Sequence, residues 1–206
     1  MPVPRERFAQ GLTADAFRAA MTKNQERYDA NLAAAAAVIT EEDRRLFGAQ
    51  PLSIVAIAED WCTDVIHFLP VVVSLAQQVP SIELRIFLRD QNLDLMDQYL
   101  NQGKYRSIPV FVIYDAEWNE LGHIIERPAA MTAAMAQESR RFAAAHPELP
   151  GINRTYEQMP EETRAAVYEN SRRWRWETMD RWNRVFLDEL RAIVAGRGAQ
   201  SAAAGV

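Results

Sequence analysis

The stretch LSIVAIAEDWCTDVIHFLP, residues 52–70, decides the fold. Residues 52–58 are almost wholly apolar, as a strand buried on both faces requires. A second apolar run predicts a helix over residues 63–79, with Pro70 inside it, where proline removes a backbone donor. Between the two stand Glu59, Asp60, Trp61, Cys62, Thr63 and Asp64, so Cys62 falls where a buried strand gives way to a helix. A cysteine in that place faces unpaired N–H groups and the positive end of the helix dipole. Both favour the thiolate, which is the nucleophilic form. Position alone leaves a second reading open, an inert packed cysteine that behaves as a small hydrophobe.

Outward from this junction the chain alternates between strand and helix signals. Ile82, Leu84, Ile86 and Leu88 alternate with polar residues and predict a strand over 82–88. Asn92 is read as the cap of a helix running to about 101, which Gly103 ends. Residues 109–114 and 121–126 predict a hairpin joined by 115–119. Before the junction, residues up to about 47 read as helix, with Thr40 capping a short second helix, Asp43 facing its start and Gly48 ending it. After Pro128 helix resumes to about 145, and residues 146–153 read as a loop. A long helix is predicted from Pro160 to about 194, with Met179, Trp182, Phe186, Leu190 and Ile193 as its apolar stripe. This order implies an α/β fold with a mixed sheet. Residues 1–195 are read as one domain, comprising a helical extension (1–48), a core (52–128) and a helical part (129–195), with 196–206 as a flexible tail.

Composition narrows the function. Apolar residues make up 49% and charged residues 25% of the 206, with a formal net charge of −5. That balance disfavours a nucleic-acid surface, which would carry a basic excess. The opening MPVPRER has no apolar stretch behind its charges, and no run reaches the ~20 residues of a membrane span. A cytoplasmic location is therefore expected, with no membrane partner. One cysteine excludes any disulfide within the chain. Cys62, Asp64 and His67 do not have the spacing of a four-ligand zinc site, so no metal is expected and His67 is read as a surface or half-buried helix residue. Asp60 and Asp64 are read as negative charges that flank the sulfur. Trp174, Trp176 and Trp182, interleaved with Arg172, Arg173 and Arg175, are read as core aromatics rather than a base-stacking surface, because Glu169, Glu177 and Asp180 balance the arginines.

From residue 52 to 128 the chain resembles a thioredoxin. Trp61-Cys62 stands where that family has the start of its Trp-Cys-x-x-Cys motif, and Pro70 where it has a helix-kinking proline eight residues on. The run Arg106-Ser107-Ile108-Pro109-Val110 resembles the segment whose cis-proline lies beside the active sulfur, and Gly122 falls near a family glycine. The resemblance implies a thioredoxin fold, a central four-stranded mixed sheet flanked by helices, here with helical extensions at both ends. It also implies a cis Ile108–Pro109 bond against Cys62. Two positions depart from the family. Val65 stands where the second cysteine would fall, and Ala56 where a buried aspartate would assist proton transfer. A dithiol enzyme clears its mixed disulfide with the second thiol, so that reaction is excluded for this chain.

Three functions remain. Cys62, flanked by Trp61, Thr63, Asp64, Val65, Ile108 and Pro109, is read as the catalytic group of a single-thiol enzyme or adaptor that forms a mixed disulfide with a protein or with glutathione. The same surface serves equally as a non-redox binding module, or as a sensor that forms a sulfenic acid or an intermolecular disulfide. No cofactor is called for. The helix dipole is expected to outweigh Asp60 and Asp64 and to leave Cys62 somewhat more acidic than a free thiol.

Overall fold

In the computed structural model, which describes residues 3–196, four strands form one sheet: β1 Leu52–Ala58, β2 Ile82–Leu88, β3 Val110–Tyr114 and β4 Glu120–Ile125. Their order across the sheet is β2-β1-β3-β4. β1 and β2 run parallel, and the β3–β4 hairpin lies antiparallel to β1. The central strands read as continuous apolar runs because both faces are covered: every residue of β3 is buried, and only Ser53 of β1 is not. The result is the mixed four-stranded α/β sheet flanked by helices. The tail expected to be flexible lies, from residue 197 on, outside the described residues.

The chain divides into two compact units, residues 3–127 with 183–196, and residues 128–182. In the first, helix α5 Thr63–Gln78 packs beside β1 and against α3 Gln25–Ala37. Pro70 sits inside α5 and has no N–H to give to the carbonyl four residues back. The buried Asn31 amide of α3 donates to that freed Ile66 carbonyl at 2.6 Å, which replaces the missing helical bond and ties α3 to α5. Phe186 of α9 Met179–Val194 closes the same unit, with ring centroids 4.8 Å from Phe68 and 5.3 Å from Phe111.

Several elements differ from the sequence expectation. The N-terminal helical region is divided into α1 Arg5–Phe8, α2 Ala14–Ala20, α3 and α4 Glu41–Phe47. One break exists because Leu12 leaves the helix to pair with the sheet edge, exchanging two 2.8 Å backbone bonds with Ile86. The helix expected over 92–101 is only α6 Leu93–Met96. The Asn92 amide does not cap it but donates to the Leu88 carbonyl at 2.8 Å, and the backbone turns back through positive φ at Gln102 and Gly103.

The second unit contains α7 Ala129–Ala145 and α8 Glu161–Glu177. The single long helix expected from 160 to 194 is interrupted at Thr178, whose φ is −110°. Its hydroxyl donates back to the Trp174 carbonyl at 2.7 Å and accepts from the Trp182 indole at 3.0 Å, so a side chain competes with the helical ladder at that point. The core reading holds for Trp182 and fails for Trp176, which is 58% exposed.

Candidate functional site

Cys62 is the residue before the first turn of α5, with extended backbone angles of −82° and 122°. Its carbonyl accepts the Ile66 N–H at 3.0 Å, which starts the helix and aims the first free N–H groups at the side chain. The strand-to-helix junction therefore sets the sulfur's position. The thiol is half-buried and donates to the Ile108 carbonyl at 3.4 Å. The Ile108–Pro109 bond is cis, and both residues are buried. Cys62 and the turn at Pro109 thus form one small centre, with Thr63 and Val65 on the helix side; Val65 is fully buried.

The charges around the sulfur are arranged differently from the expectation. Asp60 does not face the thiol. Its carboxylate accepts the Thr22 N–H at 2.6 Å, the Thr22 hydroxyl at 3.1 Å and the Lys23 N–H at 3.0 Å. Burial pushes its acidity down, those donors prevail, and the carboxyl lies below its ordinary range. Asp64 does lie beside the sulfur, 5% exposed and paired with Arg127 at 2.6 Å. The second negative charge is Glu126, which the sequence reading missed. Its N–H donates to the Pro109 carbonyl at 2.7 Å, and its carboxylate receives the Asn101 amide at 2.9 Å and also pairs with Arg127. Glu126 has φ of +70°, an uncommon conformation for a residue with a side chain. The contact between the end of β4 and the Pro109 turn selects it.

These groups reverse the expected acidity of Cys62. Burial, the largest effect, pushes the thiol up. The N–H groups of Val65 and Asp64 pull it down, while the charges of Asp64 and Glu126 push it up again, and the balance is a raised pKa. A helix terminus contributes at most about 2 kcal/mol in a favourable, partly buried geometry. Here that is not enough against desolvation and two carboxylates. The rate of Cys62 alkylation by iodoacetamide should therefore rise with pH through a midpoint above that of a free thiol. Asp64→Asn should lower the midpoint; an unchanged one would remove Asp64 from the site's electrostatics.

Trp61 stands at the rim, 42% exposed, with the Arg89 guanidinium 4.7 Å from its ring. Arg89 also pairs with Asp90 at 2.7 Å and reaches the Arg106 carbonyl at 3.4 Å. The end of β2 is thus connected to the Pro109 segment. His67 is 4% exposed and packs on Phe68, not at the surface, because its helical turn faces the core. Ala56 is fully buried in β1, so the core carries a methyl where the family has an acid. Among the described residues no three His, Cys, Asp or Glu side chains gather as a cation site, and no helix is long and apolar enough to cross a membrane.

A family model described as thioredoxin matches residues 11–140. A protein of unknown function from Pseudomonas aeruginosa has a similar crystal structure, with a TM-score of 0.62 and 19% identity, covering 95% of this chain and 99% of that one. An HIV epitope-scaffold is also similar, with a TM-score of 0.59 and 17% identity, covering 93% of this chain and 96% of that one. At these identities the likeness is one of fold. No curated protein matches the sequence.

Proposed function

The chain belongs to the thioredoxin family, and from that premise we infer that Cys62 carries single-thiol exchange with a protein or low-molecular-weight thiol such as glutathione. One observation carries the reading: the half-exposed sulfur lies against the turn at Pro109, 3.4 Å from the Ile108 carbonyl, where a partner chain could align with the backbone. The Cys62 thiolate attacks a partner disulfide, a new S–S bond forms to Sγ, and the other partner sulfur leaves as thiolate with the electron pair. A second external thiol must reverse the step, because Val65 supplies none. The raised pKa slows both directions. Less thiolate is available to attack, and a sulfur of high pKa is a poor leaving group. The chemistry that fits is slow capture with a long-lived mixed disulfide, not rapid turnover.

The same raised pKa favours a second reading, a non-redox module that holds a partner on the Trp61, Cys62 and Pro109 surface with the thiol protonated. Treatment of the folded chain with oxidised glutathione separates them. An adduct at Cys62 supports exchange. No adduct on the folded chain, while the unfolded chain is readily modified, leaves the binding module.

A further inference from the structure

The second unit contains a partly open cavity of about 280 Å³ between α7 and α8, lined also by the loop that joins them. Its wall is apolar where Phe142, Ile152, Met159, Val167 and Trp174 converge. Among its polar side chains, Glu138 and Asn170 are both occupied. Glu138 accepts from Arg141 at 2.7 and 3.1 Å and from the Asn170 amide at 3.1 Å, and the Asn170 oxygen accepts from Arg173 at 2.9 Å. These bonds neutralise the carboxylate and join α7 to α8. Arg140 and Arg154 line the same cavity, are exposed, and have no carboxylate partner among the described residues. An apolar hollow with two uncompensated guanidinium groups is complementary to a ligand with an apolar body and one negative end.

We propose that this cavity binds a small aromatic carboxylate. The volume lies just below the about 300–1,000 Å³ of typical small-molecule sites, which limits the ligand to fragment size. The Phe142 and Trp174 rings offer an aromatic body offset or edge-on contacts, and Arg140 and Arg154 receive the carboxylate, which suits the planar guanidinium fork.

The test titrates the full chain with 3-phenylpropionate and follows backbone and indole N–H signals by NMR. The expected result is a saturable shift of the Trp174 indole N–H. Arg154→Gln and Arg140→Gln, both at exposed positions, should each weaken binding about tenfold, the scale of one charge-assisted contact. Ala143→Phe, which fills the cavity, should abolish it. The neutral 3-phenylpropionamide should bind at least about tenfold more weakly than the acid. No saturable shift up to about 10 mM acid would overturn the proposal. So would equal binding of the amide, or tighter binding of 3-phenylpropylamine, which would assign the cavity's charge preference to Glu138.

Discussion

Val65→Cys should convert a chain with no sustained disulfide-reductase turnover into one with measurable turnover. Val65 follows Cys62 by three residues, one turn along the same side of α5, and its N–H already points at the sulfur. A thiol placed there can attack the mixed disulfide at Cys62 Sγ, release the reduced substrate and close a disulfide between the two positions. The side chain is fully buried, so the smaller residue costs roughly 0.5–1.5 kcal/mol of stability, as a lost methyl does. The fold should survive. Insulin reduction driven by a thioredoxin reductase, or by dithiothreitol above its own background, reads the result. The unmodified chain should show no turnover beyond background. Sustained activity of the unmodified chain would mean that a second external thiol resolves the mixed disulfide quickly, contrary to the slow leaving group inferred from the site's burial.

Asp43→Asn should be the most destabilising single polar substitution in the first unit. Asp43 is fully buried. It accepts from the Thr40 N–H and hydroxyl, both at 2.8 Å, and its own N–H donates to Thr40 Oγ1 at 3.2 Å, completing a capping box. Arg184 pairs with it at 2.7 Å and Arg191 at 2.5 Å, joining α9 to the start of α4. Burial alone would raise the carboxyl's pKa, but Arg184, Thr40 and Arg191 together hold it well below the usual carboxylate range. Removing one partner of a buried charge network costs about 3–5 kcal/mol. The sign of the pH effect follows. Because the folded pKa is depressed, the stabilisation is complete above the unfolded value near 3.9 and is lost as pH falls below it. Urea unfolding should therefore show a large gap between native chain and variant at about pH 7 and a smaller one at about pH 2.5. An equal gap at both would show that the charge of Asp43 is not what stabilises the chain.

The local signals in the sequence were sufficient where local physics decides. The Thr40 to Asp43 spacing marks a capping box, the apolar runs mark the buried strands, and the strand-to-helix junction places Cys62. Proline 70 was visible as a helix interruption, whereas its compensation by Asn31 was not, because that bond spans 35 residues. The same holds at the site. Asp60 precedes Cys62 by two residues, yet its carboxylate turns to the loop before α3. Glu126 and Arg127 reach the sulfur's surroundings from the end of β4, at a separation no spacing rule covers. Charge placement around the thiol is a property of chain crossings, and so the acidity of Cys62 came out with the opposite sign. Leu12 shows the same limit in the fold, since a helical pattern does not announce that one residue will pair with a sheet edge.

The central claim is that Cys62 is a lone, slow thiol that captures a partner and does not release it unaided. Its most direct test is intact-mass measurement of the folded chain after exposure to oxidised glutathione, followed by removal of the reagent. The predicted result is one adduct per chain, absent in Cys62→Ser, formed faster as pH rises. It should persist after the reagent is removed and be lost when an external thiol is added. A folded chain that stays unmodified while the urea-unfolded chain reacts fully would contradict the claim.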